Sequence, residues 1–272
     1  MFDFLKKKTE NNTTQIVDEI EATVYEHIKP YGFKKHGRTL HRFVSEDISQ
    51  VINFQCGVRG LSGLMCVNIG IRVPECSERT FHPNTEKKKY YHEYECTMRS
   101  RLGNVMGKKE KWYDLKKPVD KIVKDVLRQL EKKVLPAFDI LSSREAILAH
   151  RTDFPWLYAF GPHQLDDCMI YGHLGNIEKA KQSFEEYYQS AEDKYNDLMK
   201  NGHKQYLKKG ERVVYMGQDI TAEKDGYVTM YGANHGHIDY LDELAVSLGL
   251  RQKPPDTIPQ VMLQRFLQQK IE

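Results

Sequence analysis

Long hydrophobic runs are missing from this sequence of 272 residues, of which 40% are hydrophobic and 29% are charged. No apolar run approaches the roughly eighteen residues that a membrane span requires. Met1–Leu5 are followed by Lys6–Lys8, which reverses the charge order of a secretory signal. We therefore expect a globular protein of the cytoplasm that has no membrane partner.

The motifs of common catalytic and cofactor sites are also missing. No glycine-rich phosphate loop follows a strand-like run, and no GxSxG nucleophile elbow occurs. The five cysteines are odd in number and contain no CxxC pair, so neither a disulfide framework nor a zinc knuckle is indicated. The sequence predicts no cofactor and favours a non-catalytic protein over an enzyme.

Basic residues are concentrated in the first half of the chain. Residues 1–136 contain 26 Lys and Arg against 18 Asp and Glu, a net charge of +8, whereas the remainder has 15 against 20, a net charge of −5. A basic half can attract phosphate groups or an acidic partner. Because most of the excess lies in lysine clusters typical of solvated loops and helix ends, nucleic-acid binding is an alternative and not the leading interpretation.

Two strand-like runs, at 49–58 and 64–73, flank a glycine-containing loop and predict a β-hairpin. Antiparallel pairing of their apolar faces requires Asn68 to lie opposite Asn53 or Gln55. Asn is depleted in strands, so a carboxamide cluster on the polar face of the sheet points to a special role. The residues predicted to face the core are Ile52, Phe54, Cys56, Val58, Met65, Val67, Ile69, Ile71 and Val73.

The order of the elements predicts an α+β fold. A first helix with capping residues at 11–14 ends at Pro30, and further strands are expected near 38–44, at 90–101 and at 111–115. We predict an N-terminal helix on a four- or five-stranded, mainly antiparallel sheet, followed by a helical region, with domains at 1–136 and 137–272. Alternation over 90–101 places Tyr94, Cys96 and Met98 on one side, and Glu93, Glu95, Thr97, Arg99 and Arg101 on the other.

Helical periodicity dominates the second half. It predicts helices at 118–136, 138–150, 164–174, 176–199 and 237–248, and a last helix that begins at Thr257. The short runs 213–216 and 227–230 are predicted to pair as a small hairpin.

Four segments of the first half occur in a characteristic order. They are GFKKHGR at 32–38, QVINFQ at 50–55, VNIGI at 67–71 and CTMRSRLG at 96–103, followed by Trp112. Together they resemble a bacterial family known as domain of unknown function 4304, over residues 12–135. The resemblance implies no activity, but it marks the residues of the polar sheet face: Asn53, Gln55, Asn68, Arg99, Arg101 and Trp112.

The second half is similar to a single tetratricopeptide hairpin. The similarity rests on Tyr171, Gly175, Ala180 and Phe184. No second unit recurs at a period of about 34 residues, so an ordinary helical hairpin is the favoured interpretation.

Two imidazoles and a carboxylate alternate at His235, His237 and Asp239 and could bind zinc. They resemble part of the metallo-β-lactamase signature, but Tyr240 replaces its next histidine. Because Asn234, His235 and Asp239 also suit the start of a helix, we favour a helix cap and leave the metal open.

Three functions stay open at this point. The favoured one is a protein-binding module, with bacterial immunity or conflict as one setting, that uses the polar sheet face. The alternatives are a metal-dependent or acid/base hydrolase or nuclease at Glu93, Glu95, Arg99 and Arg101, and a nucleic-acid binder that uses the basic half. The candidate binding residues are Asn53, Gln55, Asn68, Glu95, Arg99, Arg101 and Trp112.

Overall fold

The computed structural model describes the backbone of residues 2–79, 87–107, 111–157 and 163–252, and side chains within 13–77, 87–107, 111–157 and 164–252. The chain forms two compact units, one ending at Asn176 and the other beginning at Ile177. The predicted fold class is confirmed, because a helix is followed by an antiparallel sheet and then by a helical region. The domain bounds at 136 and 137 stay a prediction, since compactness alone does not define a folding domain.

The first unit is built on a six-stranded antiparallel sheet. Five strands follow the order β1-β2-β3-β4-β5, and the sixth, β6, pairs with β4. Its strands are β1 Lys34–His36, β2 Thr39–Phe43, β3 Ser49–Cys56, β4 Leu64–Arg72, β5 Met98–Arg101 and β6 Tyr113–Asp114. Its helices are α1 Phe2–Ile28, α2 Leu102–Val105, α3 Val119–Gln129, α4 Leu135–Ile140, α5 Arg144–His150 and α6 His163–His173.

The central hairpin of β3 and β4 has the predicted register. Asn53 lies opposite Asn68, and Phe54 lies opposite Val67. The apolar face is buried, with Phe54 at 1% exposure. Val58 was predicted to join this face but is 68% exposed, because β3 ends at Cys56 and the alternation of the strand ends with it.

Helix α1 covers β3 with an apolar stripe at helical spacing. The stripe consists of Val17, Ile20, Val24 and Ile28, all at 0% exposure. The helix begins at Phe2, not at the capping residues predicted at 11–14. Asn and Thr inside a helix cost only about 0.7 kcal/mol each relative to Ala, so the helix continues through them.

The predicted strand at 90–101 is wrong over most of its length. Residues 93–95 form a short 3-10 helix, and β5 begins only at Met98. A capping box closes the N-terminus of the turn, because the His92 side chain accepts the Glu95 N–H while Glu95 Oε2 accepts the His92 N–H at 2.9 Å. The chain from Tyr90 to Cys96, here called the crossing segment, therefore leaves the strand direction.

The helices predicted between residues 118 and 248 are present, with shifted bounds or divided in two. The helix predicted at 118–136 extends through a π-helical turn at Leu130–Val134 into α4. The helix predicted at 138–150 is instead two helices. Leu141 leaves the helical conformation, and Ser143 starts α5 by accepting the Ala146 N–H at 3.2 Å.

The second unit contains α7 Ile177–Asn201, α8 Gly236–Ser247, and the strands β7 His203–Leu207, β8 Arg212–Tyr215, β9 Gln218–Thr221 and β10 Gly226–Met230. The predicted pairing of 213–216 with 227–230 is wrong, since β8 pairs with β9 and β10 pairs with β7. Met216 and Gly217 have φ angles of 48° and 78°, which closes a two-residue hairpin immediately after β8.

Two predictions for the second half stay untested. The tetratricopeptide-like hairpin would join α6 to α7, which fall in different units. The helix predicted from Thr257 lies outside the described residues.

Candidate binding site on the polar face of the sheet

A row of carboxamides crosses the sheet on the face opposite Phe54. Asn53 Nδ2 donates to Thr39 Oγ1 at 3.0 Å, and Asn68 Nδ2 donates to Asn53 Oδ1 at 3.4 Å. Asn68 Nδ2 also donates to Gln55 Oε1 at 3.0 Å. Asn68 is only 7% exposed, and an unpaired buried amide would cost about 1–3 kcal/mol. The row therefore accounts for asparagine in the middle of a buried strand.

A cavity of about 190 Å³ lies beside this row. Strand β5 brings its two arginines to it, because Arg101 lies opposite Asn68 and Arg99 lies opposite Gly70 in the ladder. The crossing segment contributes Glu93. The residues that line the cavity are Gln55, Asn68, Glu93, Arg99, Ser100 and Arg101.

The crossing segment is fixed against the polar face by close packing. A Cβ atom on Gly70 would lie 2.7 Å from Cys96 Cβ, so glycine is what allows this approach. Nearby, the Arg72 guanidinium lies 3.8 Å from the centre of the Tyr91 ring. Cys96 is 4% exposed, and burial raises the pKa of its thiol, so it acts as a neutral packing group.

Trp112 contacts one of the cavity arginines. The Arg101 guanidinium lies 5.4 Å from the centre of the indole ring, a cation–π contact of about 0.5–1 kcal/mol at an exposed site. Trp112 Nε1 is buried and makes no hydrogen bond within the described part of the chain. Trp112 thus contacts Arg101 without being one of the lining residues.

Glu95 forms local contacts and is not one of the lining residues. Its Oε1 accepts from Lys88 Nζ at 2.8 Å, and its Oε2 accepts from the His92 N–H. Burial pushes the pKa of Glu95 upward, but the hydrogen bonds from His92 and Lys88 outweigh it and hold the pKa below its ordinary value. Glu93 and Glu95 therefore do not form a carboxylate pair facing one cavity.

The structure brings four of the seven predicted binding residues to one cavity: Gln55, Asn68, Arg99 and Arg101. Asn53 lies in the carboxamide row, Trp112 packs on Arg101, and Glu95 is engaged elsewhere. Sequence reasoning left Ser100 and Glu93 out of the binding set. The signal it did not use was Gly70, since a glycine inside a strand marks the close approach of another chain segment. That any of these residues bind a partner stays a prediction.

The histidine motif of the second unit starts a helix. Asn234 Oδ1 accepts the Gly236 N–H at 2.8 Å, whereas the His235 side chain makes no capping hydrogen bond. His235 Nδ1 instead contacts Asp239 Oδ1 at 2.8 Å, and His237 Nε2 contacts the Tyr187 hydroxyl at 3.1 Å. Among the described residues, no group of three or more His, Cys, Asp or Glu side chains could hold a metal ion.

The first unit thus contains an α+β domain whose polar sheet face carries a small charged cavity. Residues 24–140 match the family described as domain of unknown function, DUF4304, which confirms the family predicted from the sequence for this part of the chain. No curated protein and no solved structure matches the chain. None of the helices in the described ranges is long and apolar enough to cross a membrane.

Proposed function

We propose that this is a cytoplasmic binding protein that recognises another protein through the cavity of the polar sheet face. The observation that carries the proposal is the cavity itself, which combines Gln55 of β3 with Arg99 and Arg101 of β5, the two strands that flank β4. Strands hold functional side chains more rigidly than loops do, and Asn68 of the carboxamide row donates a hydrogen bond to Gln55. Arginine is enriched among the residues that dominate binding energy at protein interfaces.

The positions of Glu93 and Glu95 favour binding over the hydrolase or nuclease alternative. Acid/base catalysis with two carboxylates needs both of them beside the reacting group. Glu93 is the one carboxylate among the described lining residues, because Glu95 is held by Lys88 and His92. A single acid among arginines and amides suits recognition better than bond cleavage.

The test is capture of partners from a native lysate with matched variants. Arg99→Gln/Arg101→Gln removes both cavity charges while leaving polar side chains of intermediate length. Arg128→Gln is the control, because Arg128 is an exposed arginine of α3 that pairs with Asp125, and Asp125 keeps its contact with Lys111. Thermal melting of all three proteins checks that the fold is retained.

We expect one protein to be recovered with the wild type and with Arg128→Gln, and to be lost with the double variant. Equal recovery by all three proteins would reject the cavity as the binding site. Salt-sensitive recovery of nucleic acid in place of a protein would instead favour the alternative based on the basic half. Turnover of ester or phosphoester substrates that depends on Glu93 would revive the hydrolase alternative.

A further inference from the structure

Aromatic rings form a continuous row where the crossing segment lies over β2. Neighbouring rings have centroids 5.1 to 6.2 Å apart, within the range of aromatic pairs. We call the following rings, in spatial order, the aromatic row: Phe43, His41, Tyr90, His92 and Tyr94. The two end rings are the most exposed, Phe43 at 40% and Tyr94 at 64%. Each end of the row therefore presents an apolar ring surface to solvent.

Three exposed lysines lie beside the aromatic row. Lys34 lies opposite His41 in the ladder of β1 and β2, and Lys87 and Lys89 come directly before Tyr90 in the chain. None of the three lysines makes an ion pair within the described part of the chain. Their charges are therefore available to a partner.

Few acidic side chains oppose these charges. Glu21 pairs with Lys35, and Glu95 pairs with Lys88. Of the two glutamates in the crossing segment, Glu93 is the one without an ion pair among the described residues. Three lysines against one carboxylate leave an excess of positive charge, which attracts an anionic partner.

The combination of exposed rings and available lysines fits single-stranded nucleic acid. Its bases have planar faces that stack on aromatic side chains, while lysines contact its phosphates. An acidic peptide would neutralise the lysines but has no planar groups for the exposed rings. Lysine on an edge strand also prevents unwanted pairing, which accounts for Lys34 but not for Lys87 and Lys89, which lie outside the strands.

We infer that the aromatic row and its three lysines bind single-stranded nucleic acid. Bases stack on Phe43 and Tyr94, and phosphates lie at Lys34, Lys87 and Lys89. None of these five residues lines the cavity, so the inference does not rest on the proposed function. It adds a second partner of a different chemical class.

The direct test is fluorescence anisotropy of labelled 12-nucleotide oligo-dT and oligo-U titrated with the full-length protein. We expect saturable binding of at least one oligomer, and the two oligomers distinguish DNA from RNA. Absence of saturable binding to both would overturn the inference. A DNA duplex should bind more weakly than oligo-dT, because its bases are stacked inside the helix. Equal affinity for the duplex would overturn the stacking contacts.

Salt dependence tests the three lysines. Binding to a single strand changes with a log–log slope of about −0.7 per phosphate contact, so three contacts give about −2. The affinity should therefore fall about 20-fold between about 50 and 200 mM salt. Lys34→Gln/Lys87→Gln/Lys89→Gln should bring the slope close to zero.

A control variant separates these lysines from the general charge of the basic half. Lys116→Gln/Lys117→Gln/Lys121→Gln removes the same charge at three other exposed positions of the first unit. It should keep the wild-type slope and affinity. An equal loss of affinity in both triple variants would overturn the location of the site.

Alanine variants test the ring contacts. Phe43→Ala and Tyr94→Ala should each lower the affinity about fivefold or more, because each removes one stacking partner. Tyr227→Ala is the control, since Tyr227 is 76% exposed and lies on β10 of the second unit. Phe43→Leu keeps apolar volume without the ring and should show the same loss, with thermal melting to check that the fold is retained.

A polyglutamate peptide tests the other class of anionic partner. It should compete weakly with the oligonucleotide. Tight binding of polyglutamate that is lost in the lysine variant and unchanged in Phe43→Ala and Tyr94→Ala would overturn the inference in favour of an acidic peptide. The proposed function stands in that case, because none of these variants changes a residue that lines the cavity.

Discussion

His41 is a buried histidine on the polar sheet face, 6% exposed, and its Nδ1 has no hydrogen-bond partner within the described residues. Burial lowers the pKa of His41, and the positive charges of His36 and Lys34 lower it further. At a pH above about 6.5 the imidazole is neutral in both the folded and the unfolded chain. Below that pH, His41 binds a proton in the unfolded chain but stays neutral in the folded chain. The free energy of unfolding therefore falls as the pH is lowered.

We therefore expect urea unfolding to give a lower stability at pH 5.5 than at pH 7.5, and expect His41→Phe to reduce that difference. The variant keeps an aromatic ring next to Tyr90, which lies 6.0 Å from the imidazole centre. The wild type must be compared with the variant because Glu21 also contributes to the pH dependence. Burial raises the pKa of Glu21, so its protonation in acid raises the free energy of unfolding, whereas protonation of His41 lowers it. A pH dependence that is the same in His41→Phe would exclude His41 as its source.

Ile69 is the clearest test of the core. It is 0% exposed and lies opposite Ile52 at the centre of the hairpin. Removing its side chain leaves a cavity, so Ile69→Ala should lower the free energy of unfolding by about 2–5 kcal/mol, measured by urea titration. Val58→Ala is the control, because Val58 is exposed, and its effect should stay within about 0.5 kcal/mol. Similar losses in both variants would contradict the observed packing.

Residue-scale features of the hairpin could be predicted because alternation and register follow from local chain geometry. The same reasoning found Asn53, Gln55 and Asn68, whose pairing follows from the apolar faces. It could not find that Glu95 pairs with Lys88, because that contact depends on how the turn at 93–95 is built.

At the scale of elements, the crossing segment depends on Gly70. A methyl group at this position would meet Cys96, so Gly70→Ala should push the segment off the sheet and destabilise the protein by about 1–3 kcal/mol. Amide hydrogen exchange should become faster at residues 91–96. Gly60→Ala is the matched control, because a Cβ atom there meets nothing within 4 Å. Unchanged exchange at 91–96 in Gly70→Ala would refute the close packing.

The crossing segment also shows where sequence reasoning failed. Residues 90–101 alternate like a strand, but only Met98–Arg101 pair with β4. The alternation competed with the reciprocal caps of His92 and Glu95, which favour a turn. The pairing predicted for the small strands of the second unit was wrong for a similar reason. The tight turn at Met216 and Gly217 joins β8 to β9, and the sequence pattern did not reveal this turn.

At the scale of the molecule, the core of the first unit extends beyond residue 136. The Gln50 side chain is 0% exposed and donates to the carbonyls of Phe138 and Leu141. Arg144 binds Glu75 at 2.7 Å and Asp47 at 2.8 Å. A fragment that ends at 136 loses these partners and leaves a buried amide unpaired, at about 1–3 kcal/mol.

We expect a fragment of residues 1–176 to fold alone with well-dispersed NMR amide signals, and a fragment of residues 1–136 to be markedly less stable by urea unfolding. Equal stability of the two fragments would show instead that the boundary predicted at 136 is a folding boundary. The composition change near 136 indicated that boundary, but it cannot show that Gln50 is satisfied by carbonyls beyond it.

The proposed function requires the cavity beside the carboxamide row to be the surface that meets a partner. Site-specific photo-crosslinking tests this contact, with p-benzoylphenylalanine replacing Tyr94 or, in a control protein, Tyr31. Both tyrosines are exposed, at 64% and 45%; Tyr94 follows Glu93 of the cavity, whereas Tyr31 follows α1. We predict a crosslinked partner with the probe at Tyr94 and none with the probe at Tyr31. A crosslink from Tyr31 alone would contradict the claim.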